Sequence, residues 1–184
     1  ARHLLEHGRT NPVFFGLDFG PSNRKKHEGM RRALKEAGLN PGKNHFLIAE
    51  NGNFNGILAQ LKKRRADALI CCNDFAAADM LKALLQNGIK VPDDIAMTGF
   101  DGYAFCNFTP VTLATVVQPI KEEAQCAAGL LMRRIKEKLT SEPFSNINLP
   151  PVFKPGGSCG CPEVASRRAV RPSPGGCALP PPGK

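Results

Sequence analysis

Two polar residues stand where short apolar segments end, and both could bind a small molecule. Asn73 follows residues 68–72, and Asp101 follows residues 95–100. Because neither apolar segment alternates with polar residues, both are typical of strands buried on two faces of a parallel sheet. Ligands of open α/β sheets bind outside the carboxyl ends of the strands. A carboxylate accepts hydrogen bonds from neighbouring hydroxyls, and an amide both donates and accepts them. Asp101 and Asn73 therefore predict a site for a hydroxyl-rich ligand.

Each of these residues also has a purely structural interpretation. Asp101 precedes Gly102, and an Asp at a strand end often stabilises a turn. Asn73 could be a turn residue before the next helix, and Asp74 is well placed to be the N-cap of that helix. We favour the ligand role for Asp101 and the capping role for Asp74, and we leave Asn73 open between the two.

Aromatic residues follow Asp101 in an irregular segment. Tyr103, Phe105 and Phe108 could stack against a sugar or purine ring. Aromatic side chains in such a loop more often cover the end of the sheet. The sequence leaves both interpretations open.

Alternating strand and helix patterns surround these residues. Apolar segments at residues 12–17, 46–49, 68–72, 95–100, 113–117 and 147–153 predict strands. Amphipathic segments at residues 23–37, 54–63 and 120–139 predict helices, and a further helix runs from Asp74 to Gly88. This alternation predicts an α/β fold with a doubly wound parallel sheet and helices on both faces.

The motifs from Ala68 onward resemble those of a known family. CNDFAAADMLKALLQNGIKVPDDIAMTGFD, followed by TPVTLATVVQP, resembles the effector-binding domain of the lactose-repressor/galactose-repressor family of bacterial transcription regulators. The likeness extends upstream through RKKHEGMRRALKEAGL and covers roughly residues 1–158. The resemblance implies a periplasmic-binding-protein-like lobe that is truncated at its N-terminus. It also implies that the helix-turn-helix domain and most of the first lobe lie outside this chain.

The resemblance carries further implications for function. A small effector, expected to be a sugar or a sugar derivative, would bind between two lobes and control DNA binding allosterically through the domain outside this chain. The family pattern places Lys26 where an effector-binding Arg is common, and Gln118 at the crossover between lobes. Lys lacks the planar bidentate geometry of Arg. Members of the family are usually homodimers, and the mostly unpaired thiols of this chain favour a cytoplasmic protein. An exported sugar-binding protein of a transporter and a sensor module fused to another output domain are the alternatives.

Catalysis, cofactors and metals receive little support from the sequence. It contains no G-x-S-x-G, Walker, H-E-x-x-H or G-x-G-x-x-G motif, so we predict that the protein is not an enzyme and needs no cofactor. Cys71, Cys72, Cys106 and Cys126 are expected to be free, buried thiols. The Cys159-Gly160-Cys161 pair has no second pair or histidine cluster near it in the sequence, so no metal site is predicted.

Length, composition and charge limit the classes of protein to which this chain can belong. The chain has 184 residues, is 42% hydrophobic and carries a formal net charge of +9. The basic residues are dispersed over predicted helix surfaces, which favours solvated faces over a nucleic-acid site. No apolar run approaches the length of a membrane span. Residues 1–158 are expected to form the effector-binding domain, and residues 159–184, rich in Pro and Gly, a disordered tail.

Overall fold

The computed structural model describes residues 1–18, 20–42, 45–48, 54–137 and 146–162. Strands and helices alternate along the chain. The strands are β1 (Pro12–Gly16), β2 (Phe46–Ile48), β3 (Ala68–Cys71), β4 (Ala96–Asp101), β5 (Ala114–Val117) and β6 (Val152–Lys154). The helices are α1 (Arg2–Glu6), α2 (Pro21–Glu36), α3 (Phe54–Arg64), α4 (Asp74–Gln86) and α5 (Ile120–Lys136). Short 3-10 turns cover Ala104–Asn107 and Gly157–Cys159.

Six strands form one sheet in the order β2-β1-β3-β4-β5-β6. The pairings of β1 with β2 and β3, of β3 with β4, and of β4 with β5 are all parallel. The predicted doubly wound α/β fold is therefore confirmed. Because these strands run in one direction, their carboxyl ends meet at one edge of the sheet and their amino ends at the other, and we call these the carboxyl edge and the amino edge.

Burial follows from the apolar character of the central strands. All five residues of β1 are buried, and Met80, Leu81 and Leu84 of α4 are buried in the same core. Helix α4 ends at Gln86, and Gly88 follows with a φ of 71°. This left-handed conformation is the one expected of a glycine after a helix end. The predicted helix boundary is thus correct for a local, sequence-encoded reason.

The described chain divides into two compact units. The first comprises Ala1–Val117 with the described residues from Phe153 onward, and the second lies between Gln118 and Val152. Helix α5 belongs to the second unit and exposes large apolar side chains, including Ile120, Leu131 and Ile135.

Two sequence-based boundaries need correction. The predicted strand at residues 147–153 is shorter, since β6 begins only at Val152. Prolines at positions 150 and 151 lack the amide hydrogen that a strand would use, which accounts for the late start. The predicted tail starts at residue 159, whereas Cys159 is buried and ends a 3-10 turn. The rest of that prediction, from residue 163 onward, lies outside the described residues.

Three of the four expected free thiols are as predicted. Cys71, Cys72 and Cys106 are free and buried. Cys126 is buried but disulfide-bonded, so the prediction of a free thiol was wrong there. Nothing in the local sequence around Cys126 distinguishes it from an apolar helix-face residue.

Candidate ligand-binding site

Lys26 reaches from α2 to the carboxyl edge. Its Nζ donates a hydrogen bond to the Cys72 carbonyl at 2.7 Å. The same nitrogen lies 4.0 Å from the centre of the Phe100 ring, a cation–π contact. Cys72 and Phe100 directly precede Asn73 and Asp101. The fold therefore brings Lys26 to the ends of the two strands that carry the other predicted ligand residues.

Asn73 caps helix α4. Its Oδ1 accepts a hydrogen bond from the Ala76 amide at 2.8 Å, and its backbone is extended, as expected at an N-cap. The prediction that Asp74 is the N-cap was therefore wrong by one residue, because β3 ends at Cys71 and the helix starts at Asp74. The cap uses the side-chain oxygen of Asn73, so a ligand role would fall to its amide nitrogen.

Asp74 has a different and larger structural role. Its carboxylate is fully buried and accepts hydrogen bonds from the amides of Gly102 and Tyr103, each at 2.8 Å. The Thr115 hydroxyl donates a third, at 2.5 Å. Gly99 leaves room for this carboxylate, since a Cβ there would lie 2.2 Å from Asp74 Oδ1. The buried carboxylate thus ties α4 to β5 and to the turn after β4.

Asp101 is the last residue of β4 and pairs with Val117 of β5. Its φ is 112°, a conformation that residues other than glycine rarely adopt. Gly102 follows with a φ of 85° and packs so closely that a Cβ there would lie 2.8 Å from Val117 atoms. The half-buried Asp101 is therefore held in an unusual conformation at the carboxyl edge, by a turn whose next two amides bind Asp74.

An aromatic cluster lies beside this turn. The ring centroid of Phe75 lies 5.0 Å from that of Tyr103 and 5.1 Å from that of Phe105. The rings of Tyr103 and Phe105 stack with their centroids 5.8 Å apart. Tyr103 is 48% exposed and Phe75 56%, so part of the cluster faces solvent. Phe75 was missed in the sequence, although its place directly after Asn73-Asp74 puts it at the same edge. Phe108 is 85% exposed.

Cys106 is buried next to Asp74, and its thiol is not poised to act as a nucleophile. Burial, together with the neighbouring Asp74 carboxylate, raises the pKa of its thiol to about 12. The thiol is therefore neutral at physiological pH, and the thiolate is the form that reacts. The chemistry of the carboxyl edge is that of hydrogen bonding and ring stacking, which suits binding.

Comparison with known proteins agrees with this geometry. Residues 1–159 match the family described as the periplasmic binding protein-like domain. The chain belongs to this family. The resemblance to effector-binding domains of transcription regulators is also confirmed, because the relatives that this domain matches are repressors.

Among curated proteins, this domain is similar to the HTH-type transcriptional repressor PurR of Vibrio campbellii, at 31% identity over 146 residues. It is also similar to the ribose operon repressor of Escherichia coli, at 30% identity over 164 residues. These alignments cover 75% and 86% of the chain but 43% and 49% of the relatives. The chain thus spans less than half the length of the curated relatives it matches.

Solved structures give the same relationship. A LacI-family regulator from Enterococcus faecium with bound ribose matches with a TM-score of 0.75 and 26% identity, over 85% of this chain and 59% of that one. The transcription regulator GntR from Chromobacterium violaceum matches with a TM-score of 0.76 and 27% identity, over 87% of this chain and 60% of that one. In the described part of the chain, no helix is long and apolar enough to span a membrane.

The remaining predicted site residue is Gln118, which directly follows β5 and is half-buried. It opens the second unit of this periplasmic binding protein-like domain. Its ligand role stays a prediction.

A group of metal-ligating side chains lies at the amino edge, away from the predicted ligand residues. His3, His7 and Cys161 place one ligand atom each within 4.8 Å of one another. No histidine lies near the Cys159-Gly160-Cys161 pair in the sequence, and the fold brings two there. These histidines were not predictable from spacing, because they lie at the opposite end of the chain.

Proposed function

We propose that this domain is the effector-sensing part of a transcription regulator and binds a sugar or a related hydroxyl-rich molecule at the carboxyl edge. The observation that carries the proposal is the meeting of Lys26, Asn73 and Asp101 at the ends of β3 and β4 in a domain whose curated relatives are repressors. The ribose bound to the Enterococcus faecium regulator supports a sugar as the class of ligand.

In this proposal Asp101 accepts hydrogen bonds from ligand hydroxyls, and Lys26 and Asn73 donate them. The positive φ of Asp101 supports the assignment, because a strained residue costs about 1–3 kcal/mol and such residues cluster at ligand sites. Tyr103 and Phe75 offer exposed ring faces for the apolar side of a sugar. Binding, rather than catalysis, is the activity this chemistry supports.

The proposed output is control of DNA binding, because the curated relatives are transcriptional repressors. Ligand binding would favour one arrangement of the effector domain, and that shift would change the affinity of a DNA-binding region outside these 184 residues. We also propose that the full-length protein acts in the cytoplasm as a homodimer. Light scattering on the full-length protein would test the dimer.

The central test is a calorimetric titration of the full-length protein with ribose and a panel of other monosaccharides. Asp101→Asn should weaken binding of the sugar that the wild type binds at least about tenfold, because each hydrogen bond to a charged group contributes roughly 1.5–3 kcal/mol. Asp93→Asn is the matched control, since Asp93 is exposed in a turn away from the carboxyl edge.

Two results would contradict the proposal. One is equal sugar affinity in the wild type and Asp101→Asn. The other is a full-length protein that binds none of the sugars while its operator affinity responds to a chemically different ligand. That result would leave the regulatory role intact and show that a sugar is the wrong class of ligand.

A further inference from the structure

Four ligand side chains from the two ends of the described chain converge at the amino edge. His3 and His7 are four residues apart at α1, and Cys159 and Cys161 follow β6. His3 Nε2 lies 3.2 Å from Cys159 Sγ and 3.3 Å from Cys161 Sγ. His7 Nε2 lies 3.5 Å from Cys161 Sγ. Two sulfurs and two imidazole nitrogens thus form one chain of contacts, from Cys159 through His3 and Cys161 to His7.

These separations match those of a tetrahedral zinc centre. Zinc binds sulfur at about 2.3 Å and imidazole nitrogen at about 2.0–2.1 Å, which places neighbouring N and S ligands about 3.6 Å apart at tetrahedral angles. The three measured N···S distances fall within a few tenths of an ångström of that value. Small rotations of His3 and His7 would open the group enough to hold an ion.

The cysteine side of the group is anchored to the sheet. Ser158 is fully buried; its hydroxyl donates to the Met97 carbonyl and accepts from the Ala114 amide, both at 2.9 Å. The next residue, Cys159, is buried against the first residues of β3, β4 and β5. The sulfur of Cys159 is therefore fixed by the core and does not depend on a loop.

The histidine side is anchored as well. Leu4, between the two histidines, is fully buried in the same cluster as Cys159. The ring of His3 packs on that of Phe153, with centroids 4.5 Å apart. His7 is exposed and Cys161 is half-buried, so an ion can enter from solvent. The group is thus preformed on one side and accessible on the other.

We propose that His3, His7, Cys159 and Cys161 form a metal site for zinc or a similar divalent ion with affinity for nitrogen and sulfur. Four protein ligands fill a tetrahedral shell, so the site is structural and leaves no position for a substrate. Two thiolates balance the charge of the ion, and their two protons are released to solvent on binding. The ion would fasten α1 to the segment after β6, across the ends of three strands.

The test uses the intact full-length protein, freed of metal under reducing conditions and titrated with Co²⁺. We expect one equivalent to produce tetrahedral d–d bands and a thiolate-to-cobalt charge-transfer band, both abolished by Zn²⁺. His7→Gln and Cys161→Ser should each weaken Co²⁺ binding by more than the roughly 10- to 100-fold that outer-shell changes cost. His45→Gln, at a histidine beside β2, is the matched control and should keep wild-type binding.

Circular dichroism of metal-free protein separates loss of the site from loss of the fold, and exposed His7 is the position at which the fold should survive substitution. Absence of the cobalt bands in folded wild type would overturn the proposal, as would unchanged binding in both variants. Formation of a reversible Cys159–Cys161 disulfide with no metal uptake would overturn it in favour of a redox pair.

Discussion

The two edges of the sheet present different kinds of chemistry. At the carboxyl edge, polar groups stand apart, each held by its own contact, and exposed aromatic rings lie beside them. At the amino edge, four ligand atoms lie in a chain of contacts, from Cys159 through His3 and Cys161 to His7. The first arrangement offers separate hydrogen bonds to a molecule with several hydroxyls, and the second offers nitrogen and sulfur ligands to a single ion. One parallel sheet therefore supports a proposed sensing site and a proposed structural site at opposite ends of the same strands.

The two edges also differ in how much of each is local in sequence. Asn73, Asp74 and Phe75 are consecutive, and Asp101 to Tyr103 form one turn. At the amino edge, His3 and Cys161 are 158 residues apart. Short motifs indicate candidate residues within one segment, and only the fold shows which distant segments lie together at the amino edge.

The largest expected effect belongs to Asp74→Ala. It leaves two partly buried amides and a buried hydroxyl without their acceptor, and leaving a buried polar group unpaired costs about 1–3 kcal/mol. We expect the free energy of unfolding, measured by urea denaturation, to fall by about 3 kcal/mol or more, with loss of sugar binding. Asp79→Ala, on the exposed face of the same helix, should change the free energy of unfolding by less than about 0.5 kcal/mol.

If the two edges are independent, the Asp74→Ala protein that remains folded at low temperature should still show the cobalt bands of the amino edge. Loss of both activities in folded protein would show that one edge depends on the other.

A smaller effect is expected at two glycines, with opposite signs. Gly99→Ala pushes a methyl group against the Asp74 carboxylate and should destabilise the protein by about 1–3 kcal/mol. Gly29→Ala, within α2, meets no atom within 4 Å and should stabilise it by about 0.5–1 kcal/mol. Thermal melts of both variants measure the difference, and equal melting temperatures would refute the close packing at Gly99.

The smallest effect concerns the aromatic residues. Tyr103→Ala removes a ring that contacts Phe75 and Phe105 and should weaken sugar binding by about 0.5–1.5 kcal/mol. Phe108→Ala removes an almost fully exposed ring and should leave affinity unchanged. Calorimetric titration of both variants decides whether the cluster or Phe108 contacts the sugar, and a larger loss for Phe108→Ala would reverse our assignment.

The fold was predictable because its signals are local. Uninterrupted apolar segments predicted β3 and β4, and Gly88 predicted the end of α4. Short elements followed by proline were less predictable, as the late start of β6 shows. The burial of Asp74 could not be predicted, since it depends on the space that Gly99 leaves on a neighbouring strand. Asn73 and Asp74 both favour caps, and only the tertiary fold assigns one to the cap and the other to the interior.

The candidate site was predictable to the same extent. Asp101 and Lys26 were found from strand ends and from the family resemblance, and the structure brings both to the carboxyl edge. Phe75 was missed because an aromatic residue in the first turn of a helix is ordinarily a packing residue. The amino-edge group was missed because no local pattern joins α1 to Cys159 and Cys161.

The distance in sequence between His3 and Cys161 also sets an order of events during synthesis. The histidines leave the ribosome before the cysteines, and 158 residues separate His3 from Cys161. At about 5–20 residues per second, the interval is roughly 8–30 seconds. All six strands are synthesised within it. A metal ion could therefore be held by all four ligands only in a nascent chain in which all six strands have already been synthesised.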